Sequence, residues 1–251
     1  MSNSRSSSTE DVIGHQFNAI YKIPTDKFFQ FALSVDCVII GYHENSLNLL
    51  VIERGTEPHK GKMALPGDLV YPTEDMDLAA DRVLNDLTGL KDAYMTQYRS
   101  YGQVDRHPTG RVISVSYYSL ISVDKYQPLA NSWADNVSWV NISKLPKLAF
   151  DHNNIVEEIL NSLGERLRHQ PIIGFELLPE YFTLGQMQLL YEAILNTRFD
   201  KANFRKRILS MNLLKDSKKT QTAVSHRPAK LFSFDKMAYK ELIEKGFNFE
   251  L

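Results

Sequence analysis

The chain has 251 residues, of which 43% are hydrophobic and 24% charged, with a net charge of −1. This composition is typical of a folded globular protein of one or two domains, and it excludes a disordered or collagen-like chain. The single cysteine, Cys37, excludes an intramolecular disulfide and fits a reducing compartment. Because no stretch approaches the roughly 20 apolar residues of a membrane span and the polar start lacks the apolar core of a signal peptide, we expect a cytoplasmic protein.

The small net charge hides an uneven distribution along the chain. Residues 183–240 contain 12 Lys and Arg against 4 Asp and Glu, a net of +8, whereas the remainder has a net of −9. Such asymmetry indicates separate modules with different partners. We therefore expect a polar, Ser-rich extension at 1–28, a first domain at 29–170 and a basic second domain at 171–251.

The first domain shows strand and helix patterns in alternation. Apolar, β-branched runs predict strands at 31–42, 47–54, 111–123 and 134–142, and the polar turn at 43–46 predicts a hairpin between the first two. Apolar residues at helical spacing predict a helix from about Asp75 and another of about 17 residues capped by Asp151. Elements in this order predict an α/β fold with a mixed sheet and helices on its faces.

The second domain shows the pattern of a helix-turn-helix. After an apolar connector at 172–179, Thr183 and Gln186 are spaced as a capping box at the start of a helix that reaches residue 195. A short break leads to a second helix at 201–211, capped by Asp200, with Phe204 on its buried face and basic residues outside. The basic loop from 215 and the apolar stretch 231–234 resemble a β-hairpin wing.

Residues 65–90, LPGDLVYPTEDMDLAADRVLNDLTGL, have a loop-helix-loop outline that resembles the Nudix box. The pattern requires Gly, five residues, Glu, seven residues, then Arg-Glu-apolar-any-Glu-Glu-any-Gly-apolar. Five positions agree, namely Glu74, Arg82, Leu84, Gly89 and Leu90. The first glycine is replaced by Asp68, and the three metal-binding glutamates are replaced by Val83, Asp86 and Leu87. Since Nudix hydrolysis needs several carboxylates around Mg²⁺, we predict no catalytic residue, no metal and no cofactor.

Several further segments resemble the Nudix-related transcription regulators, in the same order along the chain. These are YGQVDRHPTGRVISVSYYSL, LAFDH, GFELLP, FTLGQMQLLYEAIL, DKANFRKRIL and RPAKLFSF. The resemblance implies a Nudix-like α/β/α sandwich followed by a C-terminal winged helix-turn-helix. It also implies a homodimer that binds double-stranded DNA at a palindromic operator and responds to a small-molecule effector.

The resemblance leaves the effector open between two branches of that family. We favour a sugar or sugar derivative, such as the pentose arabinose, bound by an inactive Nudix-like domain in a regulator of sugar-utilisation genes. The alternatives are an ADP-ribose-sensing regulator of NAD metabolism and an active Nudix hydrolase of ADP-ribose or a related compound, for which Asp86 is the critical residue. The operator sequence and the sign of regulation are not determined by the sequence.

Two groups of candidate contact residues follow from these assignments. For the effector, mixed polar side chains of the strands, the box loop and the second helix start are Asp36, Arg54, Gly67, Asp68, Asp105, Arg106, Arg111, Asp151 and His152. For DNA, residues of the second helix of the helix-turn-helix are Asn203, Arg205, Lys206 and Arg207, of which Arg207 is expected nearer the buried face. The wing adds Lys218, Lys219, Arg227 and Lys230.

Overall fold

The computed structural model describes residues 31–43, 45–91, 93–123, 128–170, 172–222 and 228–245. The extension predicted at 1–28 and the candidate Arg227 lie outside these residues. Within the described ranges, no helix combines the length and the apolar character that crossing a bilayer would require.

Seven strands of the first domain form one sheet. They are β1 (Ala32–His43), β2 (Ser46–Arg54), β3 (Met63–Ala64), β4 (Gly67–Leu69), β5 (Thr96–Tyr101), β6 (Val112–Ser122) and β7 (Ala134–Asn141). The central strand β1 is parallel to β6 and antiparallel to β2 and β4, which confirms the predicted hairpin and the mixed sheet. The sequence does not predict β3, β4 and β5, because the first two are very short and β5 is a polar edge strand with little apolar alternation.

The strand β1 changes its antiparallel partner halfway along its length. Residues 34–36 pair with β4, whereas residues 40–43 pair with β2. Between the two pairings, the Cys37 N–H donates to the Pro66 carbonyl at 2.8 Å. The sheet is therefore open beside Asp36, where β1, β2 and β4 diverge, and this opening positions the pocket described below.

Two helices cover the two faces of the sheet. Helix α1 (Met76–Thr88) packs against Cys37 and Ile39 on one face, and α2 (His152–His169) packs against Val38 and Ile40 on the other. Alternate residues of β1 supply the two cores because successive side chains of a strand point to opposite faces. This arrangement is the predicted α/β/α sandwich.

The ends of α1 follow its sequence signals. The Asp75 carboxylate accepts a hydrogen bond from the Leu78 N–H at 2.9 Å, which satisfies one of the free amides of the first turn. The helix ends at Gly89, whose φ of 70° is in the left-handed region that glycine adopts without strain. The Thr88-Gly89 stop of the box is thus a local consequence of the sequence.

The described residues of the second domain form four helices and a hairpin. They are α3 (Ile172–Leu177), α4 (Leu184–Leu195), α5 (Lys201–Ser210), β8 (Leu214–Thr220), β9 (Lys230–Phe234) and α6 (Lys236–Glu244). The prediction of a connector at 172–179 is wrong in part. The first six of these residues form the helix α3, which buries Ile173 and Leu177. Tertiary burial decides this, because a six-residue helix is not stable alone.

The turn between α4 and α5 is organised around Glu192, a buried carboxylate of α4. Its oxygens accept hydrogen bonds from the Phe199 N–H at 3.0 Å, from the Gln188 amide at 2.9 Å and from the Arg198 guanidinium at 2.9 Å. Together with the predicted capping box of Thr183 and Gln186, these bonds confirm the helix-turn-helix as a defined unit.

The two domains share one continuous apolar core. Tyr42 and Leu47 of the sheet cluster with Leu163 of α2 and with Leu184 and Met187 of α4. The Tyr42 hydroxyl also donates to the Gln186 carbonyl at 3.3 Å. The domain limits at 29–170 and 171–251 stay a prediction, but α4 is packed directly on the face of the sheet that α2 covers.

Candidate functional site

The pocket beside Asp36 lies where β1, β2 and β4 meet the N-terminal end of α2. Its volume is about 340 Å³, within the range of small-molecule sites. Six of the nine predicted effector residues line it: Asp36, Arg54, Gly67, Asp68, Arg106 and His152. Its other lining residues, which the sequence did not single out as contacts, are Ser34, Thr56, Glu57, Leu69, His107, Val112, Trp133 and Phe150.

Asp36 is the centre of a buried hydrogen-bond network at the floor of this pocket. Its Oδ2 accepts from the Ser114 hydroxyl at 2.5 Å and from Arg106 Nη2 at 3.2 Å. Its Oδ1 lies 3.4 Å from His152 Nε2. Burial by itself would raise the pKa of Asp36, but interaction with the His152 imidazole, the Arg106 guanidinium and the Ser114 hydroxyl holds it well below its ordinary value. Asp36 is therefore an anion at neutral pH.

The hydrogen bond to His152 Nδ1 indicates which nitrogen of the imidazole ring carries the proton. Nδ1 accepts a hydrogen bond from the Leu65 N–H at 2.9 Å, so it cannot carry a proton in this arrangement. The proton is then on Nε2, which points to Asp36. His152 thus connects the start of the box loop to the central strand.

Asp151 occupies the N-cap position of α2 but its side chain does not cap the helix. Its two oxygens instead bind Arg106, at 2.9 Å from Nε and 2.7 Å from Nη2. The predicted capping role is therefore wrong, because a bidentate charged partner outcompetes the backbone amides. Asp151 does not line the pocket, and its effect on the site passes through Arg106.

Asp105 and Arg111 also lie away from the pocket lining. Asp105 is exposed, and Arg111 donates through Nη1 to the Gly102 carbonyl at 2.6 Å. Both flank the loop that carries Arg106, which made them candidates in the sequence. Arg106 therefore lines the pocket, whereas Asp105 and Arg111 do not.

An aromatic stack forms the wall of the pocket around Arg54. The Arg54 guanidinium carbon is 4.9 Å from the Trp133 ring centroid and 5.0 Å from that of Phe150. The His107 imidazole is stacked on Phe150 at 5.0 Å, with an interplanar angle of 13°. Burial lowers the pKa of Arg54 from its ordinary value, although nearby carboxylates oppose this effect. Cation–π contact with two rings fixes the orientation of the guanidinium.

The box loop enters the pocket through Gly67 and Asp68. Asp68 accepts from Trp133 Nε1 at 3.1 Å and from the Leu69 N–H at 2.7 Å, so it links the loop to the aromatic stack. At Gly67, a Cβ atom would lie 2.3 Å from the Asp36 Oδ1 and 2.9 Å from the Val35 carbonyl oxygen. Only glycine permits this close approach of the loop to β1.

Replacing Gly67 by alanine is expected to lower the free energy of unfolding by about 1–3 kcal/mol, because the added methyl displaces Asp36 from its network. Urea unfolding would measure this loss. Gly110→Ala is the matched control, since its Cβ would meet nothing within 4 Å, and it should change stability by less than about 0.5 kcal/mol. Equal stability of both variants would contradict the proposed steric role of Gly67.

Two of the four altered positions of the Nudix box point into the core instead of the pocket. Val83 and Leu87 are 0% and 1% exposed and pack in the apolar cluster below the sheet. Asp86 is half exposed and lies 3.9 Å from Arg82. Within the described residues, no three His, Cys, Asp or Glu side chains are grouped as metal ligands. That the box is inactive in catalysis remains a prediction.

Glu74 and Arg82 keep the structural part of the box. Arg82 donates to Glu74 through Nη2 at 2.6 Å and Nε at 2.8 Å, and to the Leu69 carbonyl at 2.8 Å. The hydrogen bonds from Arg82 are the main cause that lowers the pKa of Glu74 to about 2. The pair fastens the loop that carries Gly67 and Asp68 to helix α1.

A larger, open groove of about 930 Å³ lies between the two domains. Its polar rim includes Asn141, which caps a 3₁₀ turn through the Ser143 N–H, and Asn153, which accepts from the Leu148 N–H. The side chains of both asparagines are therefore already hydrogen-bonded to nearby backbone N–H groups. The groove contains none of the predicted effector residues, so the smaller pocket is the better effector site.

The candidate DNA-contacting surface is the outer face of α5. Asn203, Arg205, Lys206 and Arg207 are exposed, while Phe204 and Ile208 are buried. Arg207 is exposed although it precedes the buried Ile208, and its predicted position nearer the buried face stays a prediction. No ion pair ties down these three cations among the described residues. The helix therefore presents a continuous polar and basic surface.

Three of the wing residues predicted to contact DNA lie within the described residues, and Lys218, Lys219 and Lys230 are all exposed. Lys219 Nζ lies 3.9 Å from the Tyr181 ring centroid, and Lys230 Nζ lies 3.3 Å from an Asp216 oxygen. Lys218 is exposed beside them. A bridge between Phe182 and Phe232 fastens the hairpin to the segment that precedes α4.

Comparison with known proteins gives consistent matches over both domains. A family model described as NUDIX domain matches residues 30–160, and one described as NrtR DNA-binding winged helix domain matches residues 174–234. The chain is 31% identical over 206 residues to the ADPR responsive transcriptional repressor NtrR of Acinetobacter baylyi, which covers 80% of this chain and 81% of that protein.

Two solved structures of Shewanella oneidensis NrtR are similar to this chain. The complex with a 27mer DNA has 26% sequence identity and a TM-score of 0.68, over 86% of this chain and 97% of that one. The NUDIX domain complexed with ADP ribose has 28% identity and a TM-score of 0.52, over 59% of this chain and 97% of that one.

Proposed function

Because this chain belongs to the NrtR family, in which a Nudix domain precedes a DNA-binding winged helix, we propose that it is a DNA-binding transcriptional repressor that responds to ADP-ribose. The observation that carries the proposal is the pocket at the N-terminal end of α2, where Arg54 is held between two aromatic rings. ADP-ribose, the alternative effector of the sequence analysis, takes the place of the favoured pentose, because the relatives compared above respond to or bind it.

Arg54 is the cation of the pocket that suits an anionic diphosphate, in a lining that also contains Glu57 and Asp68. Arg106 is neutralised by Asp36 and Asp151, whereas Arg54 has no carboxylate within salt-bridge distance among the described residues. The first turn of α2 adds the partial positive charge of a helix N-terminus. Arg54 is thus the pocket's main contact for phosphate oxygens, and the half-buried rings of Trp133 and Phe150 offer surfaces for a planar base.

Helix α2 connects this pocket to the DNA-binding domain. Its 18 residues span about 27 Å, from His152 at the pocket to a C-terminal end beside α3. An effector changes DNA affinity only if it binds the two arrangements of the protein with different affinity. We infer that ADP-ribose acts by shifting α2 and the α4 surface packed on it, within a homodimer that binds a palindromic operator.

The Nudix domain serves in this proposal as a sensor without turnover. Asp86 is the one altered position that keeps a carboxylate, and it lies beside Arg82 on the exposed side of α1. One such group is insufficient to hold and activate the metal of a Nudix hydrolase. If the ligand is bound and not hydrolysed, the occupancy of the pocket follows the ligand concentration.

Isothermal titration with ADP-ribose, with arabinose as the competing candidate, tests the proposed effector. We expect ADP-ribose to bind and arabinose to give no heat, and chromatography of ADP-ribose incubated with the protein and Mg²⁺ to show neither AMP nor ribose 5-phosphate. If arabinose bound and ADP-ribose did not, the proposal that ADP-ribose is the effector would be wrong. Turnover that vanishes in Asp86→Ala would establish the hydrolase alternative instead.

Lys206→Ala and Arg205→Ala are expected to weaken binding to random-sequence duplex DNA several-fold and to leave ADP-ribose affinity unchanged, because each loses one phosphate or base contact of α5. Fluorescence anisotropy measures the affinity. Arg168→Ala, which removes an exposed cation of α2, is the matched control and should bind DNA as the wild type does. If both α5 variants retained full affinity, α5 would not be the recognition helix.

A further inference from the structure

The wing contains an irregular segment between β8 and β9. Asp216 is paired with Phe232 and Thr220 with Lys230, so β8 has three residues between these pairs where β9 has one. The extra residues form a bulge at positions 217–219. Bulges re-aim side chains and bend the strand that carries them.

Lys218 at the centre of the bulge has a φ of 60°. Residues other than glycine rarely adopt this left-handed conformation, and Asn and Asp tolerate it better than lysine does. The surrounding bonds hold it there: the Lys218 N–H donates to the Asp216 carboxylate at 2.9 Å, and the Ser217 hydroxyl donates to the Leu231 carbonyl at 2.6 Å. Strain that the surroundings maintain in this way is a feature of functional positions.

The three lysines of the wing differ in what they contact. Lys219 is placed over the Tyr181 ring, and Lys230 is paired with Asp216. Lys218 is exposed, and no ion pair or ring contact holds its side chain among the described residues. Two of the lysines therefore have a contact partner within the protein, whereas the Lys218 ammonium interacts with Asp216 only beyond salt-bridge distance and is exposed to an incoming anion.

We propose that, among the described residues of the wing, Lys218 contacts the sugar-phosphate backbone of DNA and Lys219 and Lys230 position the bulge. This rests on the proposed DNA-binding function. A cation already paired within the protein must lose that contact to bind a phosphate, whereas an unpaired one gains contact and releases condensed counterions. A glycine would suit the backbone of position 218 better, so the lysine is explained by its charge.

Three substitutions at position 218 separate charge from strain. Lys218→Gly and Lys218→Ala should weaken binding to random-sequence duplex DNA about eight-fold at 0.1 M salt and reduce the slope of log affinity against log salt by about 0.9, the loss expected for one phosphate contact. Lys218→Arg should keep the slope. Lys218→Gly should also raise the thermal midpoint by on the order of 2 °C, since it relieves the positive φ, and Lys218→Ala should not.

The control is Lys147→Ala, which removes an exposed cation of the first domain and should leave the salt slope unchanged. Lys230→Ala should lower the thermal midpoint and keep most of the slope, as a positioning role requires. If Lys218→Gly kept the wild-type slope of log affinity against log salt, the proposed phosphate contact would be wrong. If the thermal midpoint of that variant were lowered, the proposed backbone strain at position 218 would be wrong. If the wild type bound no DNA at either salt concentration, the proposed function itself would fail, which is a different outcome.

Discussion

Val83→Glu is expected to lower the free energy of unfolding by about 3–5 kcal/mol, because it buries a carboxylate in the apolar cluster between α1 and the sheet. The same result is expected for Leu87→Glu, whose site is 1% exposed. Both substitutions install the glutamates of the Nudix pattern. We therefore expect them to unfold the domain partly and not to create a hydrolase. Urea unfolding followed by circular dichroism measures the loss.

Asp86→Glu is the matched control, since it installs the remaining glutamate of the pattern at a half-exposed position. It should change stability by less than about 0.5 kcal/mol. A stable Val83→Glu/Leu87→Glu double variant that hydrolyses ADP-ribose with Mg²⁺ would contradict this account. It would mean that α1 can rotate its metal-binding face out of the core.

Arg106→Met is expected to destabilise the protein by about 3–5 kcal/mol at pH 7, because it leaves the buried Asp36 carboxylate without its cation. The side chains of Arg106 and Asp36 are only 4% and 7% exposed, so water cannot replace the lost partner. Binding of ADP-ribose should weaken in parallel, since the network shapes the pocket floor. Unfolding free energies from urea titrations at several pH values give the measurement.

The sign of the pH dependence follows from the pKa of Asp36. In the wild type that pKa lies well below the unfolded value of about 3.9, so the carboxylate stabilises the fold above pH 4 and this contribution is lost as the pH falls. Without Arg106, burial raises the pKa of Asp36 relative to the wild type, and acid then protonates it in the folded state. The destabilisation caused by Arg106→Met should therefore shrink between pH 7 and pH 4.

The double variant Asp36→Asn/Arg106→Met tests the same pair independently. Its destabilisation should be smaller than the sum of the two single changes, because the double variant no longer contains the Asp36 carboxylate that Arg106→Met leaves unpaired. Additive losses, or an Arg106→Met loss equal at pH 4 and pH 7, would show that Asp36 and Arg106 do not stabilise one another.

The helix-turn-helix was predictable because its signals are local. The capping box of Thr183 and Gln186, the cap at Asp200 and the apolar spacing of Phe204 and Ile208 each involve neighbours within four residues. Such short-range preferences act in the same way in any tertiary context. The exposure of Arg207, by contrast, depends on how α5 is rotated against α4.

The effector pocket was only partly predictable because its contacts are long-range. Asp36, Arg106 and Asp151 were candidates by residue type, but their mutual bonds join positions 45 and 70 residues apart. Trp133 and Phe150 were missed, since an apolar ring in a sequence usually indicates core. Their role depends on the guanidinium of Arg54, which the fold places between them.

What the sequence by itself determined is the order of the main elements, the basic second domain and the apolar side chains of Val83 and Leu87 in the box. Those features follow from the composition and from the spacing of residues that are close in the sequence. The tertiary structure alone decided that both residues face the core, that Asp151 binds Arg106 instead of capping α2, and that the box loop closes on β1 through Gly67. The physical reason is that burial and ion pairing depend on which distant segments meet, and sheet topology sets those meetings.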